Sequence, residues 1–184
     1  SCLSIPTHAQ QATDAISPEV STAQETKKSG SPVQSKNWMV AVANPHAAEA
    51  AAAVLREGGN AIDAEIAAQF MLGLVEPQSS GLGGGAFLVY FDATKGKTTT
   101  LDGRETAPLN ATPRLFQNDA GEPLKFFDAV VGGRSVGTPG TPALMGEMAQ
   151  RWGKLSWSRL ISPAQKMATE GFVVSPRLAA LVER

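Results

Sequence analysis

Between residues 38 and 184 the apolar positions fall into runs of two periods, separated by clusters of Gly, Pro, Asn and Asp. Met39–Ala43 (MVAVA) is a continuous apolar run and predicts a short buried strand. Asn44-Pro45 then predicts a helix start. Asn supplies an N-cap oxygen, and Pro suits the first helical position, where no N–H is needed. The Ala-rich sequence through Leu55 continues this helix, and Gly58-Gly59 stops it in a left-handed cap. Asn60 caps a second helix from Ala61 to about Leu74. In it Ile62, Ile66, Phe70 and Leu74 recur at helical spacing and predict one buried face. Glu76-Pro77 ends this helix, because the residue before Pro is pushed out of helical geometry.

The period changes after the run Ser79-Ser80-Gly81-Leu82-Gly83-Gly84-Gly85. Ala86–Phe91 (AFLVYF) predicts a strand, Asp92–Gly96 a turn, and Lys97–Leu101 (KTTTL) a β-branched return strand, together a hairpin. Residues 102–140 predict loops with short strands at Val130-Val131 and Ser135-Val136. Helices are expected again from Thr141-Pro142 to Gly153, and from Ser162-Pro163, which matches a capping box, to Gly171. Ser175-Pro176 opens a last helix within which the sequence stops, so it is expected to continue beyond it. The order of elements predicts an α+β fold with an antiparallel hairpin.

Residues 1–37 differ from the rest, being rich in Ser, Thr, Gln, Ala and Pro. Such a segment buries too little to offset its ordering entropy, and a disordered leader or tether is expected. Charge nearly cancels, with 16 basic and 17 acidic residues, so there is no electrostatic footprint for nucleic acid or an anionic membrane surface. No apolar stretch is long enough to predict a membrane-spanning helix. The one cysteine, Cys2, excludes a disulfide within the chain. Ser1-Cys2 suits a lipoprotein signal cut just before Cys2, although a plain thiol in the leader is the simpler reading.

Gly81–Ala86 formally fits the dinucleotide pattern G-x-G-x-x-[GA], but here a helix precedes and a strand follows. That order is inverted relative to what pyrophosphate binding needs, and nucleotide binding is disfavoured. Two structural uses remain: conformations closed to other residues with close backbone approach, or a nest of N–H groups for an anion. Asp102-Gly103-Arg104-Glu105 lies just past a predicted strand end, where binding groups are common. An Arg there can hold a carboxylate through two parallel hydrogen bonds. By spacing alone a surface pair of Arg104 with Glu105 or Asp102 is favoured. His46 is a candidate general base but sits on a predicted helix surface. Asp63 and Glu65 are two apart and so do not form a carboxylate dyad. Trp152 and Trp157 are expected to anchor a core.

The segments Ala43–Ala53, Gly58–Ala64, Val75–Phe87 (VEPQSSGLGGGAF), Leu101–Pro108 (LDGRETAP), Val136–Gly140 (VGTPG) and Trp152–Ser175 occur in one order that resembles the γ-glutamyltransferase family, at the front of its large subunit. The resemblance implies an αββα sandwich of the N-terminal nucleophile hydrolase type, with residues 38–184 as an incomplete domain. It implies a precursor that cuts itself into large and small subunits, whose new N-terminal Thr is the nucleophile and its own base. The γ-glutamyl group of glutathione or a related compound passes to that Thr, and then to water or to an acceptor amino acid or dipeptide. No metal or organic cofactor is implied.

By the same resemblance Arg104 matches the arginine that holds the donor's α-carboxylate. The nucleophile Thr is expected downstream of this chain, which by itself is then expected to be inactive. Related acylases, acting on cephalosporins or polyglutamate, share much of this half, and a non-catalytic remnant is a further alternative. The expected location is periplasmic or secreted, with membrane attachment only through a lipid on Cys2.

Overall fold

The computed structural model describes residues 15–183; Cys2 and His8 lie outside them. It mixes helices with one two-stranded sheet and divides into two compact units. One comprises the described residues up to Gly81 together with those from Met148 onward; the other runs from Leu82 to Glu147.

In the first unit α1 (Pro18–Lys28) departs from the expected disorder of residues 1–37. The local reason is a complete set of helix signals: Ser17 at the N-cap, Pro18 in the first turn, Glu19 early, and Lys27 and Lys28 late. The helix is fastened to α2 (Pro45–Arg56) by Ser17 N–H donating to Glu49 Oε2 at 3.0 Å and by Arg56 donating to Glu19 at 2.7 Å. Val20 is its buried contact.

Helix α2 begins where the sequence predicts. Asn44 Oδ1 accepts the His46 N–H at 2.9 Å, and Gly58, at φ +89°, ends the turn that follows Arg56. A Cβ there would be strained, which is why Gly serves. Helix α3 (Ala61–Val75) opens on a reciprocal capping box between Asn60 and Asp63. It packs against α2 and against α6 (Trp157–Glu170). Ile62, Ile66, Val54, Val75, Met148 and Leu160 form the dry centre of this unit. Phe70 meets the Trp157 ring edge-on at 5.5 Å. The unit closes with α7 (Pro176–Val182), capped by Ser175 as expected.

Met39–Ala43 is not a strand. A strand needs a neighbour for its N–H and C=O groups, and the sheet among the described residues contains other segments. Met39–Ala43 instead lines an open groove of about 550 Å³ with Val20, Ala23 and Trp38. Ser162-Pro163 does not start a helix either. Ser156 is the cap of α6, its Oγ accepting the Arg159 N–H at 3.3 Å, and Pro163 lies inside. Pro163 has no N–H for the Arg159 carbonyl, and the Ser162 hydroxyl donates to that carbonyl at 3.2 Å.

The second unit is built on the predicted hairpin, β1 (Ala86–Asp92) against β2 (Lys97–Gly103), in register from Ala86↔Gly103 to Asp92↔Lys97. Asp92 Oδ1 accepts the Thr94 N–H at 3.0 Å, and Gly96 takes φ +60°, so the turn is the expected one. Leu88 points inward while Phe87, Val89 and Phe91 form an exposed face. The strands expected at Val130-Val131 and Ser135-Val136 are absent. A short helix, α4 (Phe126–Val130), and a single 3₁₀ turn (Gly133–Ser135) stand there. The Ser135 hydroxyl donates to the Val130 carbonyl at 2.7 Å and Gly132 turns the chain at φ +96°, so local closure outweighs β propensity. Helix α5 starts in this unit and spans Thr141–Trp152. No helix among the described residues is long and apolar enough to cross a membrane.

Candidate functional site

Strand β2 carries Asp102 and Gly103 to its end and delivers Arg104 into a sharp turn. Asp102 Oδ1 accepts the Arg104 N–H at 2.9 Å, which fixes the backbone as it leaves the strand. The Arg104 side chain stands in solvent, 64% exposed, with Nε 3.6 Å from Glu105 Oε2. The ion pair that the spacing predicts is therefore formed. It is too long for a hydrogen bond, and an exposed pair of this kind is worth little. The contact runs through Nε, so it leaves the terminal N–H edge of the guanidinium uncommitted by it.

Three glycines hold the backbone under Arg104. An added Cβ at Gly85 would lie 2.8 Å from Arg104 Cα and would collide with the Glu105 side chain. At Gly137 it would lie 3.0 Å from the Thr106 carbonyl oxygen and 3.2 Å from Glu105 Cβ. At Gly140 it would strike the Gly103 carbonyl oxygen and lie 3.0 Å from that of Arg104. Thr138 N–H donates to the Thr106 carbonyl at 2.8 Å, and the Gly140 and Thr141 N–H groups share the Gly84 carbonyl at 3.0 and 3.1 Å. Leu144 of α5 closes the floor, because a Cβ at Gly103 would lie 2.6 Å from Leu144 Cβ. Three segments far apart in sequence thus meet where only backbone fits.

Within the glycine run Gly85 works by close approach, whereas a Cβ at Gly81 or Gly83 would meet nothing within 4 Å. Gly81, Gly83, Gly84 and Gly85 all avoid positive φ, so the alternating-hand nest for an anion is not formed there. His46, Asp63 and Glu76 lie in the first unit. The His46 N–H is part of the α2 cap, and the residue lines a cavity of about 370 Å³ with Asn44, Val75 and Phe172. Asp63 is fully buried and accepts backbone N–H groups from Asn60, Lys154 and Leu155. Glu76, also buried, accepts from Asn44 Nδ2 at 2.8 Å and lies 3.4 Å from Arg177. Both carboxylates are structural.

The sequence model of the Gamma-glutamyltranspeptidase family matches residues 47–184. The chain belongs to the γ-glutamyltranspeptidase family. A glutathione hydrolase proenzyme of Bacillus subtilis is 44% identical over 147 residues, 80% of this chain and 25% of the relative. That of Escherichia coli is 36% identical over 148 residues, again 80% of this chain and 25% of the relative. The chain thus spans about a quarter of the length of these curated relatives. The crystal structure of the Helicobacter pylori γ-glutamyltranspeptidase superposes with a TM-score of 0.77 at 38% identity, covering 83% of this chain and 43% of that one.

The segments that carry the family resemblance are the ones that build the cradle. Gly85 belongs to the glycine run, Arg104 and Glu105 to L-D-G-R-E-T-A-P, and Gly137 and Gly140 to V-G-T-P-G. Sequence reasoning singled out Arg104, weighed Asp102 only as a surface ion-pair partner, and assigned no role to Gly137 or Gly140, whereas Asp102 in fact accepts the Arg104 backbone N–H. A signal for Asp102 was present: Asp two residues before an N–H at a strand end is a turn-forming arrangement. Nothing in the local sequence pairs Gly140 with Gly103, because that contact spans a long loop.

Proposed function

We propose that this chain is the front part of the large subunit of a glutathione hydrolase or γ-glutamyltransferase, with Arg104 as the group that binds the donor's α-carboxylate. The proposed architecture of the whole enzyme is the αββα sandwich of N-terminal nucleophile hydrolases. Residues 38–184 are one part of that domain, and residues 1–37 are its leader. The observation that carries the reading is an exposed guanidinium at the end of β2, held by a backbone turn made from the family's own segments.

The chemistry follows from the residue types. A planar guanidinium grips a carboxylate through two parallel hydrogen bonds and so fixes the glutamyl end of the donor. The nucleophile is the N-terminal Thr of the small subunit, supplied from outside the residues described here. Its amine takes the hydroxyl proton as the oxygen attacks the γ-carbonyl carbon, and the amide nitrogen leaves with a proton. Water or an acceptor amine then takes the acyl group. No step uses a cofactor. The enzyme works in the periplasm or outside the cell, the expected place for acting on glutathione or other γ-glutamyl compounds beyond the cytoplasm.

Arg104→Lys in the complete enzyme tests the role. Lysine keeps the charge and loses the fork, so KM for the γ-glutamyl donor should rise about ten- to a hundredfold, the equivalent of one charge-assisted hydrogen bond, while kcat changes less. Steady-state kinetics on a chromogenic γ-glutamyl anilide read this directly. An unchanged KM overturns the assignment. A related acylase is separated by substrate: high turnover of a cephalosporin side-chain amide with none of glutathione replaces the hydrolase reading.

A further inference from the structure

We propose that Asp102 is a positioning residue for substrate binding, acting through the backbone of Arg104 and never touching the donor. The inference rests on the reading of Arg104 given above.

The Asp102 side chain is exposed, and its Oδ1 accepts the Arg104 N–H at 2.9 Å. An exposed carboxylate at this place adds little to stability by burial. Its hydrogen bond does something more local, because it sets the direction in which the chain leaves β2 and so the origin of the Arg104 side chain. The same turn is also confined by backbone that tolerates no Cβ. Gly85 meets Arg104 Cα, and Gly140 meets the carbonyl of Arg104. The Arg104 main chain is thus held at three points, its N–H by one side-chain oxygen and its Cα and carbonyl against two glycines, while its guanidinium stays in solvent.

A long side chain on a free backbone would lose binding energy in ordering itself around a carboxylate. On a fixed backbone only side-chain torsions remain to be ordered. The contribution of Asp102 therefore appears as donor affinity, and the group it needs is an acceptor oxygen rather than a negative charge. If the acceptor oxygen is what matters, the amide variant binds the donor about as well as the parent; if the carboxylate's charge is what matters, the amide variant is as impaired as alanine.

The experiment compares Asp102→Ala, Asp102→Asn and Arg104→Lys, and each Asp102 variant combined with Arg104→Lys, in the complete processed enzyme. Melting temperatures confirm that the exposed substitutions leave the fold intact. Asp102→Ala should raise donor KM about fivefold, near the worth of one ordinary hydrogen bond, with kcat within about twofold. Asp102→Asn keeps Oδ1 as an acceptor and should restore KM to near the starting value. In the Arg104→Lys background Asp102→Ala should add little, since the two act on one contact. The proposal is overturned if Arg104→Lys raises KM but Asp102→Ala does not. It is equally overturned if Asp102→Asn is as impaired as Asp102→Ala. If Arg104→Lys itself has no effect, it is the binding role of Arg104 that fails.

Discussion

Asp63 lies in the dry centre of the first unit, between Ile62 and Ala64, with no exposed surface. A carboxylate is tolerated there because backbone N–H groups surround it. Asn60 donates at 2.9 Å, Lys154 at 3.0 Å and Leu155 at 3.3 Å. Asp63→Ala leaves those donors without an acceptor in a dry site, and unfolding free energy should fall by about 3 kcal/mol. Urea denaturation of the complete enzyme checks this, and a loss below about 1 kcal/mol would mean that water reaches the site. Half of this role was legible in the sequence. Asn60 preceding a helical run predicts the cap, but the partners at Lys154 and Leu155 are about ninety residues away, and no local pattern points to them. Arg104 shows the same limit from the other direction. Its position past a strand end was legible, whereas the glycines that fix its backbone belong to distant segments.

Among the elements, those with strong boundary chemistry were the legible ones. The helices at Pro45–Arg56, Ala61–Val75 and Pro176–Val182, and the hairpin, follow from Asn and Ser caps, Pro at helix starts and β-branched alternation. Two misreadings share one cause, a strong local signal overruled by its neighbours. Ser162-Pro163 has the form of a helix start, but Ser156 caps first and the helix runs through the proline. Val130-Val131 has strand composition, but the closures around Gly132 make a helical turn and a 3₁₀ turn. Pro163 gives a test at this scale. A proline inside a helix costs about 3 kcal/mol relative to alanine in a peptide, reduced where a hydroxyl serves the orphaned carbonyl as Ser162 does. Pro163→Ala should therefore raise stability by about 1–2 kcal/mol, seen as a higher denaturation midpoint with unchanged slope. A lower midpoint would show that the ring packs against something the alanine cannot replace.

For the molecule as a whole, long-range ion pairs tie the helices of the first unit together, and these make its stability depend on pH. Arg159 donates to Glu57 through Nε at 2.8 Å, and this hydrogen bond holds the Glu57 carboxyl below the ordinary range. Burial alone would push Glu49 up, but hydrogen bonds from Ser17 and Arg56 outweigh it, and its carboxyl also lies low. A carboxyl depressed in the folded state stabilises the fold above its unfolded pKa of about 4.3 and loses that contribution as pH falls through the folded value. The denaturation midpoint should thus hold from pH 7 to about 5 and decline below it, and Glu57→Gln with Glu49→Gln should flatten the decline. A midpoint that rises on acidification would contradict this. The same pairs also account for α1 within the leader. Composition predicts disorder for residues 1–37, yet Glu19 and Ser17 find partners on α2, a gain that composition cannot express.

The capping of α3 also has a consequence for the order of events on the ribosome. The carboxylate of Asp63 emerges from the exit tunnel about ninety residues before Lys154 and Leu155, roughly five to twenty seconds at ordinary rates of synthesis. Through that interval only the donor at Asn60 is present to meet the Asp63 side chain. The arrival of residues 154–155 supplies the missing donors, and α6, which packs on α3 and brings Leu160 into the core, follows directly behind them, so the carboxylate gains its last partners and its apolar cover from the same late stretch of chain.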